Sequence, residues 1–123
     1  MEQFSFQSLH VYKEAKSLVK TIYSLFPTFP TSEKYALCDQ MRRAAVSVPS
    51  NIAEGVSRIS VKERIHFIEI SYGSLMEVLC QTEIALELGY IKSEQYQETE
   101  RKIIIIAKLL SGLRNSLKLK LKG

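Results

Sequence analysis

Arg42 and Arg43 stand side by side in the stretch QMRRAAVSVPSNIAEG, Gln40 to Gly55. Paired guanidiniums of this kind hold phosphate or carboxylate oxygens. The same two side chains also fit a solvated helix face, with ion pairs to Asp39 or to a neighbouring subunit's Glu77 or Glu83. A phosphate-cradling loop is excluded by order: it needs glycines that lead into a helix N-terminus, and Gly55 comes after the helix. Glu63 and His66 have the Glu-x-x-His spacing of carboxylate-bridged di-metal bundles, but the partner histidine, His10, is preceded at that spacing by Gln7. The chain has no nucleophile elbow, HExxH or Walker sequence. These residues predict a protein that is not an enzyme, with no catalytic residue, no metal and no cofactor.

Charge points to a polyanion instead. The chain of 123 residues carries a net charge of +4, and residues 93–123 hold seven Lys and Arg against three Glu. Such an excess attracts RNA or DNA, although a charge of this size also serves solubility. The candidate phosphate contacts are Arg42, Arg43, Arg58 and Arg64, with Arg101, Lys102, Lys108 and Arg114 near the C-terminus.

These side chains need elements to hold them. Val11, Ala15, Leu18, Ile22 and Leu25 recur at helical spacing, which predicts a first helix over residues 8–26, stopped by Phe26-Pro27 and Phe29-Pro30. A second helix over 32–54 turns Leu37, Met41, Ala44, Val48 and Ile52 inward and ends on Gly55 as its cap. A third, 61–88, opens with the capping box Ser60-Val61-Lys62-Glu63 and closes at Gly89. Ser93 caps a fourth, 94–117, whose inner stripe is Tyr96, Ile103, Ile106, Leu110, Leu113 and Leu117. The alternating Leu and Lys residues of 118–123 read as a frayed basic tail. The fold class is all-α, a single-domain antiparallel up-down-up-down four-helix bundle. Pro49 kinks its second helix, with Ser47, Ser50 and Asn51 placed to solvate the carbonyl freed at Ala45.

The third helix is apolar on two faces. Val61, Ile65, Ile68, Tyr72, Leu75, Leu79, Thr82 and Leu86 form the core stripe, and Phe67, Ile70, Ser74, Val78, Gln81 and Ala85 form a second. A bundle core uses one face, so the second predicts an oligomer interface, and four consecutive isoleucines, Ile103 to Ile106, point the same way. Cys38 and Cys80 lack a CxxC spacing and read as buried free thiols of a reducing, cytoplasmic setting. The opening residues MEQFSFQSLH lack a basic n-region and an apolar h-region, which predicts no secretory signal, and no apolar run approaches the roughly 18 to 20 residues of a membrane span.

The run Gln40 to Gly55, with Phe6, Leu9, Gly73, Ser74, Glu77 and Leu88-Gly89-Tyr90, resembles the four-helix-bundle proteins encoded in intervening sequences of bacterial 23S rRNA genes. The resemblance covers roughly residues 4–117. It implies a homo-oligomer, a barrel-like pentamer, as partner to itself. The related accessory variability protein of diversity-generating retroelements binds nucleic acid and a reverse transcriptase through a basic surface. That implies a nucleic-acid role for the matching Arg42 and Arg43, as an accessory to a nucleic-acid enzyme such as a reverse transcriptase. The competing expectation is a structural or protein-interaction module without nucleic acid.

Overall fold

The computed structural model describes residues 4–122 and holds four α-helices: α1, His10–Leu25; α2, Leu37–Val56; α3, Val61–Glu87; and α4, Ser93–Lys122. Three short 3-10 turns accompany them, at Ser5–Ser8, Phe26–Thr28 and Thr31–Glu33, and no strand occurs among the described residues. Each helix packs on two others: α1 on α2 and α4, and α3 on α2 and α4. α2 and α4 therefore lie diagonally across one core. Successive contacts between α2 and α3 run in opposite senses, Ser47 with Ser74, Val48 with Ser71 and Gly55 with Phe67, so this pair is antiparallel.

The α1 stripe packs as its spacing predicts: Val11, Ala15, Leu18, Ile22 and Leu25 are buried. Met41, Ala44, Val48 and Ile52 of α2 are buried opposite. On α4 the isoleucine run divides, Ile103 and Ile106 inward and Ile104 and Ile105 outward. The Ser60 hydroxyl accepts from the Glu63 backbone at 3.3 Å, and Gly89 takes φ 77° just past α3, the left-handed geometry that glycine adopts without a Cβ penalty.

Several boundaries differ from the sequence reading. α2 begins at Leu37 rather than residue 32, because the chain after Pro30 first makes a 3-10 turn; the Glu33 carboxylate then accepts from the Leu37 backbone N–H at 3.4 Å. Ser93 is the first residue of α4 rather than its cap; Gln95 Oε1 accepts from the Lys92 backbone instead, at 2.8 Å. α4 continues to Lys122, past the predicted stop at Leu117: Leu and Lys are good helix formers, and extending an existing helix needs no new nucleus. Cys38 is buried, whereas Cys80 is exposed on the outer side of α3.

Gly55 lies inside α2 and does not end it. A Cβ there would stand 2.9 Å from the Phe67 Cβ and 3.3 Å from the Arg64 carbonyl oxygen. Glycine is needed because α3 passes too close for a side chain. Gly55→Ala should gain about 1 kcal/mol of helix propensity and lose about 1–3 kcal/mol to overpacking. The expected result is a lower denaturant midpoint than wild type; a higher midpoint would refute the close approach.

Pro49 is buried inside α2. The polar residues around it do not serve the Ala45 carbonyl. Asn51 Nδ2 donates to the Ser47 carbonyl and to Ser47 Oγ, both at 2.8 Å, and the Ser47 and Ser74 hydroxyls share a hydrogen bond of 2.8 Å. Ser71 Oγ donates to the Val48 carbonyl at 2.8 Å. Ser47 and the Val48 carbonyl thus bond α2 to α3, with Asn51 holding Ser47 from within α2.

The second stripe on α3 is also corrected. Val78, Gln81 and Ala85 are buried within the chain's own bundle. Phe67 is half-buried beside Gly55, and Ser74 is engaged by Ser47, which leaves Ile70 as the outward member. The physical reason is that the contacts of α3 with α2 and α4 are the two most extensive in the bundle, so its inner arc is wide enough to take in both apolar stripes.

Candidate nucleic-acid interface

The side of α1 that meets α2 carries Tyr12, Lys16, Val19, Lys20 and Tyr23, at helical intervals behind the core stripe. The facing side of α2 carries Arg42, Val46, Pro49 and Ala53. Between them runs a groove of about 400 Å³, walled by Phe6, Tyr12 and Val19 on one side and Val46, Pro49 and Ala53 on the other. Lys16, Lys20 and Ser50 form its rim. Val46 and Ser50 lead into an adjoining hollow that holds Tyr23, Asp39, Arg42 and Arg43. Tyr23 and Arg42 lead on to a third beside Phe26, Phe29, Lys34 and Cys38.

The channel thus has five cations, Lys16, Lys20, Lys34, Arg42 and Arg43, against one carboxylate, Asp39. Both arginines share that carboxylate, Arg42 at 3.5 Å and Arg43 at 3.2 Å. Arg42 is further fixed by donating to the Lys34 carbonyl at 3.2 Å and by lying over the Phe26 ring, 5.5 Å from its centroid. Arg43 is free to move, its side chain 80% exposed. An exposed pair of this kind is worth only about 0–1 kcal/mol, so an incoming phosphate can take the guanidinium at little cost. Beside Arg42, burial pushes the Cys38 thiol up, with the guanidinium pulling the other way. A raised thiol stays protonated near neutral pH and is a poor nucleophile.

The remaining predicted contacts lie elsewhere. Arg58 sits over the Phe67 ring at 4.9 Å and pairs with Glu54 at 3.6 Å; Arg64 Nε donates to the Arg58 carbonyl. These two brace the turn between α2 and α3. Lys102 Nζ donates to Ser17 Oγ at 2.9 Å and Thr21 Oγ1 at 2.8 Å, tying α4 to α1. Arg114 is half-buried, and its Nε is buried without a hydrogen-bond partner. Arg101 and Lys108 are exposed, but on α4, diagonally across the core from Arg43. The eight predicted residues therefore do not share one surface. Lys16, Lys20 and Lys34 belong to the arginine face and were missed, although Lys16 and Lys20 are visible in the sequence one turn apart behind the α1 stripe.

His66 stacks edge-on against Phe67, centroids 5.6 Å apart. No group of three or more His, Cys, Asp or Glu side chains is placed to hold a metal among the described residues. No helix among them is long and apolar enough to cross a membrane.

A family model described as 23S rRNA-intervening sequence protein matches residues 7–112. A search of the curated proteins finds no match. Among solved structures, the chain is similar to a protein of unknown function from the S23 ribosomal protein family of Bacteroides thetaiotaomicron, with a TM-score of 0.77 at 23% identity. That similarity covers 85% of this chain and 97% of the other, and at this identity it establishes a shared fold.

Proposed function

The chain belongs to the 23S rRNA-intervening sequence protein family, and we propose that this member is a non-enzymatic bundle that binds RNA or DNA along its α1–α2 face. The observation that carries the reading is the channel itself: five cations against one already-paired carboxylate, over an aromatic floor. Cations gathered along one face neutralise phosphates and release counterions, which makes binding salt-dependent. The Arg42 to Ala53 part of the opening stretch then has two jobs. Its Ser47, held by Asn51 from the next turn of α2, bonds to Ser74 of α3, while Arg42, Arg43, Val46, Pro49 and Ala53 line the channel.

The test is fluorescence anisotropy with labelled RNA and DNA over a salt series. Each phosphate contact contributes about 0.9 to the slope of log K against log salt on duplex DNA, and about 0.7 on single strands. Arg43→Ala should lower that slope by about one contact, and Lys108→Ala should leave it unchanged. No binding to either nucleic acid at low salt would give the answer to a purely structural module.

Self-association is part of the same reading. Ile70 and Ile84 on α3 and Ile104 on α4 are exposed apolar side chains away from the basic channel. Burying them between copies would leave each α1–α2 face open to solvent. A ring of such copies, five on the family precedent, would bind one polyanion at several points, so a weak contact per subunit suffices.

A further inference from the structure

Electrostatics accounts for the rim of the α1–α2 groove but not for its floor. A surface that only neutralised phosphates would gain nothing from an apolar trough, yet Phe6, Tyr12, Val19, Val46, Pro49 and Ala53 make one beneath Lys16 and Lys20. We propose that this trough takes an unpaired base of a single-stranded nucleic acid, whose phosphates follow Lys16, Lys20 and Arg43. The proposal rests on the nucleic-acid reading above and narrows it to single strands.

The aromatic wall is built in advance. The Phe6 ring meets Tyr12 edge-on with centroids 5.1 Å apart, and Phe4 stacks on Phe6 at 6.3 Å, 13° from parallel. Lys16 Nζ lies over the Tyr12 ring, 4.9 Å from its centroid, which holds a cation directly against the aromatic wall. A base brings both complements: an apolar face to stack and a phosphate on each side. In a duplex the base faces are stacked on one another and unavailable, and only an unpaired base offers them to an aromatic side chain. Lys16 and Lys20 are one helical turn apart, about 6 Å along the axis, and they flank the trough on its α1 side. Beyond Val46 the channel continues to Tyr23, an exposed ring beside Arg42 and Arg43, where a second base has a platform.

An acidic amphipathic helix is the competing occupant, since it also combines apolar and negative groups. Helix docking needs apolar anchors on successive turns. Here Asp39, Arg42, Arg43, Ser47 and Ser50, beside Tyr23 and Val46, separate the trough from the next apolar hollow at Phe26 and Phe29. Two apolar hollows parted by a charged stretch suit separate bases on a charged strand better than one continuous helix face.

The experiment compares three probes of equal length on the intact protein: a single-stranded oligothymidylate, the same backbone with abasic residues, and a DNA duplex. The base-bearing strand should bind about tenfold or more tighter than the abasic one, the expectation for stacking on aromatic side chains. Phe6→Ala, outside the four helices, should shrink that ratio and leave the salt slope unchanged. Equal affinity for the abasic and base-bearing strands, or tighter binding of the duplex, overturns base insertion while leaving nucleic-acid binding intact. Failure of all three probes to bind at low salt overturns both readings, as does capture of an acidic amphipathic peptide with no binding of oligonucleotide.

Discussion

Val78→Glu is expected to unfold the bundle. Val78 has no exposed surface and packs in the core cluster with Leu75, Ile106 and Leu110. The substitution removes a buried apolar side chain and puts a carboxylate into the apolar core cluster. Burying an unpaired charge belongs among the substitutions that cost about 4 kcal/mol or more, against a total stability of about 5–15 kcal/mol for a domain. Far-UV circular dichroism should show lost helicity or a steeply lowered melting temperature, and Ala85→Glu should behave alike. Ile84→Glu is the contrasting case: Ile84 is 40% exposed, so the carboxylate stays in water and the helices persist. If copies associate through the outer side of α3, light scattering should show Ile84→Glu at lower mass than wild type with unchanged helicity. A wild-type monomer at micromolar concentration would remove the self-association reading. A Val78→Glu variant that stays fully helical would remove the burial assignment.

The contrast between Val78 and Ile84 marks where the sequence stops being informative. A period of 3.6 residues reveals that a segment is an amphipathic helix and which residues share a face, which is why the α1 stripe is legible to the residue. It does not reveal how wide an arc the neighbours cover. On α3 the arc takes in Ser71, Val78 and Ala85 as well as Ile68 and Leu75, because α2 and α4 cover it far more extensively than they cover α1. Gly55 fails for a related reason. A glycine after an apolar run is most often a helix end, and its actual task depends on Phe67, brought up by another helix. The groove was hidden by counting charge along the chain. Residues 1–31 hold three lysines against two glutamates, which looks neutral. In the fold, Lys16 and Lys20 join Arg42 and Arg43 across a helix pair, while Glu14 pairs with His10 at 3.8 Å and is not part of the groove. Charge summed by segment cannot see a face assembled from two segments.

Reversing the charge of that face should abolish binding at physiological salt. The triple variant Lys16→Glu/Lys20→Glu/Arg43→Glu exchanges three cations for three anions on exposed positions, so the core stripes are untouched and the fold should persist. Each lost contact removes its share of the salt dependence, about two to three units of slope for the three together. The new carboxylates also repel the strand, and Glu at 43 would stand one turn from Asp39, leaving Arg42 as the sole partner for both. The affinity should fall by at least about a hundredfold near 0.1 M salt. Screening limits the reach of each charge to about 10 Å at that salt, so the control is a reversal on the far side, Arg101→Glu/Lys108→Glu on α4. It changes the net charge by four units rather than six, as counted from the substitutions. If net charge alone governed binding, the two variants would weaken it in proportion. If the channel binds the strand, the triple variant loses binding and the α4 pair keeps most of it. The opposite pattern, a silent triple variant and a dead α4 pair, would place the contact surface on α4 and leave the α1–α2 channel without a nucleic-acid role.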